Sequence, residues 1–414
     1  MKVLFLYPPS IYLNHAMFKH FTYFAETANL LSADGYDISI LDCGVELFNR
    51  REIYQKLKYT EVLIVLIEPY NIRTTLSMSK ITKEINPNCK IVFYGTAAAL
   101  IPNYLSNNSA ADYIIADGFF YEGISNALNL IESDINSDVV TNINTVSKIL
   151  KCNFCQIKKK WGNPISELVP IENYRKYGNN MFEFTVQIGC PYNCSFCSEK
   201  ILFKNEDSLI YEHRPLDSVI SVVSQAVSYH FTSLYFSATT FTYDREWVLD
   251  ICKSMIQERI SIPWRSDTRI DRLDKDLVKM MKKAGLSQLS IGVESFEDRL
   301  LKGVNKGIAS HNIENQIKMV QSEGVSVKAL LILGIPGQTA EDVKHTKQMV
   351  QKLKIPYRWK EYSPIRELFE ADKNGEDLES VIDSFDRTAF NTSSVEGISP
   401  TEYMGLLFPD EYKR

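Results

Sequence analysis

The chain reads as an α/β protein built in two rounds. Short strands rich in Val, Ile and Leu alternate with amphipathic helical patterns over residues 1–135, and the alternation restarts at residue 181. Apolar strands separated by helices are the pattern of parallel sheets covered on both faces. The first strand of the second round runs directly into a loop bearing Cys190, Cys194 and Cys197.

In the first round, strands are expected at 3–7, 38–43, 62–67, 90–94 and 113–116, with helical stretches such as 21–32 and 75–85 between them. This predicts a doubly wound, Rossmann-like sheet, on which ligands bind beyond the carboxyl ends of the strands. Those ends carry Tyr7-Pro8-Pro9, Asp42, Glu68-Pro69 and Gly95-Thr96. GxGxxG is missing, so a dinucleotide is not indicated. Residues 136–180 form a polar linker rich in Asn and Lys, with Trp161-Gly162-Asn163-Pro164 inside it. Cys152 and Cys155 in that linker make a lone CxxC with no second pair to complete a zinc site. A second cluster or a redox pair would be functional readings, and two exposed linker thiols are the plainer one.

The second round has strands expected at 182–188, 234–237, 262–266, 289–293, 327–333 and 359–362. Helical patterns lie at 216–229, 244–259, 275–284, 309–323 and 341–353. Six β/α units over 181–370 predict a partial barrel, in which chemistry belongs at the carboxyl ends of the strands. The cysteine loop follows the first of these strands and falls on that face. Residues 371–414, acidic and then aromatic-rich, are expected as a tail or cap.

The 414 residues are 45% hydrophobic and 23% charged, an ordinary globular balance with ample apolar material for a core. A net charge of −5 supplies no overall field toward nucleic acid or anionic lipid. The local run Lys158-Lys159-Lys160 reads as a solvated linker, and no basic appendix suggests RNA. The amino terminus, with one positive charge before a short apolar run, reads as a strand and not as a signal peptide. No stretch approaches the length that spans a bilayer. Eight cysteines without an export signal predict reduced thiols and a cytoplasmic protein.

The cysteine run is Gly189-Cys190-Pro191-Tyr192-Asn193-Cys194-Ser195-Phe196-Cys197. Iron–sulfur cubanes usually take four cysteines. A loop with three leaves one iron open, as a catalytic metal site requires. Zinc prefers paired CxxC or histidines at set distances, and the nearest histidine in sequence is His213. A disulfide scaffold does not suit a chain this long with so few cysteines. Buried structural thiols are the remaining alternative, which explains neither the spacing nor the position after an apolar strand.

CxxxCxxC with an aromatic before its last cysteine resembles the signature of the radical S-adenosylmethionine (radical SAM) enzymes. Nearly the whole chain, and most specifically its barrel half, resembles the branch with an N-terminal cobalamin-binding-type domain. The resemblance implies a 4Fe–4S cluster on Cys190, Cys194 and Cys197, whose open iron chelates the amino and carboxylate groups of S-adenosylmethionine. Ser237-Ala238-Thr239-Thr240-Phe241 matches the position that meets the amino group, with Ser237 and Thr239 as acceptors and Asp244 the nearest acid. An ordinary turn is the plainer reading there. In Trp264-Arg265-Ser266-Asp267-Thr268-Arg269-Ile270-Asp271, either Arg265 or Arg269 would fork onto the methionine carboxylate. Alternatively Arg269 and Asp271 pair with each other. Gly292-Val293-Glu294-Ser295 matches the family's "GVES", with Glu294 accepting the ribose hydroxyls. The match continues to Asn305-Lys306-Gly307, otherwise a connecting turn. In Leu333-Gly334-Ile335-Pro336-Gly337 the backbone of Gly334 and Ile335 would lie along the adenine, with Phe196 helping to seat it.

What the resemblance implies chemically is reductive cleavage of S-adenosylmethionine to methionine and a 5′-deoxyadenosyl radical. The radical would abstract hydrogen from an unactivated carbon of a small metabolite or natural-product intermediate. An electron donor such as flavodoxin or ferredoxin is implied. Cobalamin is left open. The first domain lacks D-x-H-x-x-G, and His15 and His20 do not have that spacing. Gly95-Thr96-Ala97 replaces a Gly-Gly pair. Asp117-Gly118-Phe119-Phe120-Tyr121-Glu122-Gly123 replaces "GEGE", with Phe119, Phe120 and Tyr121 bulky where a corrin needs room. With cobalamin the expected outcome is C-methylation. Without it, dehydration, epimerisation, dehydrogenation or rearrangement would follow, and the acid, base or hydrogen donor is not readable. A non-catalytic iron–sulfur or cobalamin sensor is a third class, which the cysteine loop together with Glu294 argues against.

Overall fold

Apolar runs long enough to be buried on both faces form the centre of each sheet in the computed structural model. It describes residues 1–8, 18–43, 50–136, 147–152, 159–177, 180–203, 210–386 and 395–407. Two units emerge. The first comprises Met1–Asn180, Ser198–Glu212 and Ile365–Asp386; the second comprises Met181–Cys197, His213–Pro364 and Arg387–Arg414.

The first unit holds β1 (Lys2–Tyr7), β2 (Asp37–Asp42), β3 (Val62–Leu66), β4 (Lys90–Tyr94), β5 (Tyr113–Ile115) and β6 (Lys148–Leu150). They form one sheet in the order β2-β1-β3-β4-β5-β6, and every pairing is parallel. All five residues of β3 are buried, because helices cover both of its faces. The sixth strand comes from the segment expected as linker. It is three residues long and mostly exposed, so its apolar pattern is too short to read before its partner β5 is known. Residues 365–386 also belong to this unit. Within it, the buried Asp372 accepts from the backbone amides of Asn103 (3.1 Å) and Tyr104 (2.7 Å), capping the helix Pro102–Asn108.

Two details revise the expectation for the linker and the strand ends. Cys152 is buried and not exposed: its amide donates to Asp117 Oδ2 at 2.6 Å, at the end of β5. Burial pushes its thiol far above the ordinary range, and the neighbouring Asp117 charge adds to this. Cys155 and His15 lie outside the described residues. Phe119 and Phe120 turn into the unit's own interior. Phe119 packs edge-on against Phe203 with ring centroids 5.7 Å apart, and Phe120 packs against Tyr94 at 5.2 Å. Tyr121 reaches Asp34 through its hydroxyl.

The strand ends form a polar seam. Tyr7 and Tyr70 hydroxyls lie 3.2 Å apart, and Tyr174 donates to Asp42. Gly95 has φ 118°, and a Cβ there would lie 2.6 Å from the Ile67 carbonyl, so no other residue fits without strain. Glu68 accepts the Thr96 amide at 3.2 Å.

The second unit contains β7 (Met181–Thr185), β8 (Gln187–Gly189), β10 (Ser233–Ser237), β11 (Trp264–Thr268), β12 (Leu286–Glu294), β13 (Ser326–Leu333) and β14 (Tyr357–Glu361), while the short β9 (Tyr211–His213) falls on the division between the two units. Six of these form an open, curled parallel sheet in the order β14-β13-β12-β11-β10-β7, the half-barrel the six β/α units predict. The strand expected at 182–188 is broken at Val186. Fully buried Arg214 donates through Nε to the Thr185 carbonyl at 2.9 Å, and its amide takes the Val186 carbonyl at 2.8 Å. That diversion turns the chain into β8 and the cysteine loop. Among the described residues no helix is long and apolar enough to cross a membrane.

Burial raises the Glu68 carboxyl from 4.5 to about 7. The folded state therefore prefers it protonated. Its contribution to stability is complete below pH 4.5 and is lost as pH rises through about 7. Glu68→Gln, which mimics the protonated form, is expected to flatten that decline. Thermal unfolding compared at pH 5 and pH 8 should show the variant gaining on the parent at the higher pH; parallel profiles would remove Glu68 as the cause.

Candidate functional site

The loop that leaves β8 carries the three cysteines. Cys194 is buried, while Cys190 and Cys197 are half-buried. The Cys197 amide closes a turn onto the Cys194 carbonyl at 3.3 Å. Cys190 Sγ lies 3.7 Å from Thr240 Oγ1. The loop is fastened at two points to the turn after the short helix Asp298–Gly303, which follows β12. The Ser195 amide donates to the Val304 carbonyl at 3.1 Å, and Asn305 Nδ2 donates to the Asn193 carbonyl at 2.9 Å.

Glu294 ends β12 where the register with β13 shifts, a bulge between Gly292 and Glu294. It is buried and has φ 62°. A non-glycine residue in the left-handed region is strained, and such strain persists where the surroundings over-determine it. Lys306 supplies that determination: its Nζ lies 2.7 Å from Glu294 Oε1, with both side chains buried. Gly292 makes room for the pair, since a Cβ there would come within 2.6 Å of Glu294 Oε1 and 2.8 Å of Lys306 Nζ.

Arg269 sits beside this pair. Nε and Nη2 fork onto the two oxygens of Asp271 at 3.0 and 3.1 Å, and Nη2 also donates to the Lys306 carbonyl at 2.8 Å. Nη1 points at Cys194 Sγ, 3.9 Å away. The guanidinium lies 3.8 Å above the Tyr192 ring. Arg269 and Asp271 thus pair with each other, the second of the two readings the sequence left open. Burial pushes the Cys194 thiol up, while the Lys306 and Arg269 charges pull it down.

The remaining expected residues divide. Phe196 and Ile335 come together, both packed with Leu300, Val304 and Ile332 in one apolar cluster beside the loop. Gly334 (φ 88°) donates its amide to the buried Gln338 Oε1 at 2.6 Å, fixing the turn after β13. Thr239 Oγ1 donates to the Gly189 carbonyl at 2.5 Å and accepts from Gln187 Nε2 at 3.0 Å, so its hydroxyl is engaged with the start of the loop. Ser237 ends β10. Asp244 caps the helix Arg245–Gln257 by accepting the Trp247 amide. Arg265 is not brought to the cysteines. It is the second residue of β11 and reaches toward the amino end of the sheet, its Nε 3.0 Å from Met181 Sδ. Sequence reasoning missed Gln187 and Thr240 as partners of the loop, and Tyr192 within it as the ring beneath Arg269. Their types carry no chemical signal, and Gln187 meets Thr239 across 52 residues of sequence.

These residues suit a cluster. Among the described residues no three His, Cys, Asp or Glu side chains converge as a single ion demands. A cubane spreads its thiolates over separate irons and does not require that convergence. The loop offers three thiols, and the Arg269 guanidinium faces one of them.

Comparison with known proteins agrees with this geometry. Residues 184–350 match the model described as the radical SAM superfamily, so the chain carries a radical SAM domain. An uncharacterized methyltransferase of Pyrococcus horikoshii is 28% identical over 195 residues, 47% of this chain and 42% of the relative. The anaerobic magnesium-protoporphyrin IX monomethyl ester cyclase of Rubrivivax gelatinosus is 24% identical over 376 residues, 82% of this chain and 63% of the relative. The chain thus spans less than two thirds of either. Among solved structures, the radical S-adenosylmethionine methyltransferase TsrM of Kitasatospora setae, with tryptophan and aza-SAM bound, superposes with TM-score 0.71 at 14% identity, covering 88% of this chain and 74% of that one. The cobalamin-dependent radical enzyme OxsB superposes with TM-score 0.63 at 13% identity, covering 93% and 56%. At such identities the shared property is the fold, which spans both units.

Lys306→Met would leave Glu294 buried and unpaired. Breaking a buried pair from one side costs roughly 3–5 kcal/mol. Chemical denaturation of the variant should show a loss of that order, with Glu294→Gln in the same background recovering part of it.

Proposed function

We propose that the protein is a radical SAM enzyme that cleaves S-adenosylmethionine reductively and modifies an unactivated carbon of a small molecule. C-methylation with cobalamin is the leading outcome. The observation that carries the reading is the strained, buried Glu294 held beside a three-thiol loop at the carboxyl mouth of a half-barrel. When bound, a 4Fe–4S cluster supplies one electron to the sulfonium and opens the route to the 5′-deoxyadenosyl radical.

The chain's own residues bind and orient. Cys190, Cys194 and Cys197 hold three irons and leave the fourth for S-adenosylmethionine. Glu294, fixed by Lys306, accepts the ribose hydroxyls. Phe196 and Ile335 offer an apolar seat for the adenine, next to the backbone of Gly334. Ser237 lies at the end of the strand that leads to the amino-group position. An electron donor such as a flavodoxin or ferredoxin serves the cluster, and a reduced cytoplasm suits it. Arg265, at the far end of β11, is better read as part of the barrel's inner lining than as a carboxylate clamp.

Cobalamin is supported by the fold shared with TsrM and OxsB, the second described as cobalamin-dependent. The strand ends of the first unit are compatible with it in one respect. Phe119 and Phe120, whose bulk seemed an obstacle, direct their rings into the core. Among the described residues no histidine lies at those strand ends, so a corrin there would take no imidazole from them. A second reading, radical chemistry without methyl transfer, draws on the relative named as a cyclase.

The test is anaerobic purification with cobalamin supplied, reconstitution with iron and sulfide, and reduction with dithionite. The expected products from S-adenosylmethionine are methionine and 5′-deoxyadenosine, with Cys194→Ala forming neither. A full iron complement with no 5′-deoxyadenosine from any reductant would sink the enzyme reading. A corrinoid absorbance band favours methylation, and its absence at full iron loading favours the second reading.

A further inference from the structure

We propose that Arg269 is a positioning residue for the iron–sulfur cluster and raises its reduction potential; this rests on the cluster assignment above. Arg269 is a buried cation on the strand-end segment after β11, fixed from four directions. Asp271 takes two of its N–H groups, the Lys306 carbonyl takes another, and the ring of Tyr192, itself in the cysteine loop, lies 3.8 Å beneath the guanidinium. The remaining arm points Nη1 at Cys194 Sγ, 3.9 Å away. These contacts fill four of the five guanidinium donors, which leaves too little of the fork for a bidentate grip on a ligand carboxylate.

Reduction adds one negative charge to a cluster. A fixed positive group and an N–H donor at a ligand sulfur stabilise the reduced form more than the oxidised one, and so raise the potential. Arg269 meets both conditions at Cys194, the most buried of the three thiols, where the field is least screened by water. Asp271 limits the effect, because its carboxylate offsets part of the guanidinium charge. The pair therefore acts as a graded setting of cluster potential: the arginine raises it and the aspartate holds that rise in check.

Opposite signs distinguish this from a merely structural role. The full chain, Arg269→Gln and Asp271→Asn are reconstituted anaerobically, assayed for iron, and titrated with redox mediators while the reduced cluster is followed by electron paramagnetic resonance. Arg269→Gln is expected to lower the midpoint. At the parental midpoint its ratio of reduced to oxidised cluster falls about tenfold, about 59 mV for a one-electron couple. Asp271→Asn is expected to raise it. Shifts in the same direction, or a parental midpoint in either variant at full iron loading, overturn the proposal. If Arg269→Gln holds no iron, Asp271→Asn decides alone: a positive shift supports the proposal, and no shift or a negative one ends it. Failure of the parent chain to assemble any cluster would instead defeat the cluster assignment, an outcome the iron assay reads separately.

Discussion

The ion pair between Lys306 and Glu294 is the constraint on which the rest of the site depends. It joins the end of β12 to the turn after the helix Asp298–Gly303, and that turn holds the cysteine loop through Val304 and Asn305. The same turn gives its Lys306 carbonyl to Arg269. One buried contact therefore links a strand end, a connecting turn, the thiol loop and a buried arginine. As a source of stability such a pair is a poor choice, since desolvating two charges costs about as much as their attraction returns. Its value lies in position. It fixes a glutamate in a backbone conformation that glutamate does not favour, at the mouth of a barrel whose chemistry belongs at that mouth.

The half-barrel has two different faces, and the difference follows from the period of two along each strand. Toward the helices, Phe182, Phe184, Phe236 and Trp264 build an aromatic stack, with Phe236 and Trp264 rings 4.9 Å apart. The alternate residues Glu183, Tyr235 and Arg265 are in register across β7, β10 and β11 on the opposite face. Burial and the charges of Asp267 and Glu183 push the Tyr235 phenol far above its ordinary range. Barrels that are simply packed fill this face with branched apolar side chains. Here it is polar and charged, the composition of a lining and not of a core.

Legibility in the sequence tracked how local the cause was. The apolar runs of β1, β3, β4, β12 and β13 announce themselves, because a strand buried on both faces needs no partner to be recognised. The cysteine spacing and the GVES segment are equally local. What escaped depends on register or on distant packing. β6 is a short, mostly exposed edge that exists because β5 offers it hydrogen bonds. Cys152 is buried because Asp117 receives its amide. Arg265 and Arg269 are four residues apart and looked interchangeable as carboxylate clamps. The first lies early in β11 and the second just beyond its end, so they serve opposite ends of the sheet. The break at Val186 is dictated by Arg214, which is remote in sequence from the strand it interrupts.

In the first unit the same distinction decides how the departures from the family pattern are to be weighed. Phe119 and Phe120 stand where the resemblance leads one to expect a "GEGE" run, and in sequence they suggest a filled ligand site. In the fold they start the helix Phe120–Asn136 and its approach, and their rings complete the core against Phe203 and Tyr94. Their bulk is therefore absorbed by packing inside the unit. The residues that remain to define the crevice are those at the strand ends themselves: Tyr7, Asp42, Glu68 and Gly95. These are mainly hydrogen-bonding groups, one of them a carboxyl whose burial favours its neutral form. In an open α/β sheet such a crevice lies beyond the carboxyl ends of the strands, where the strand order reverses. Of the aromatic run, Phe119 and Phe120 are thus accounted for by packing within the core, which the sequence alone does not reveal.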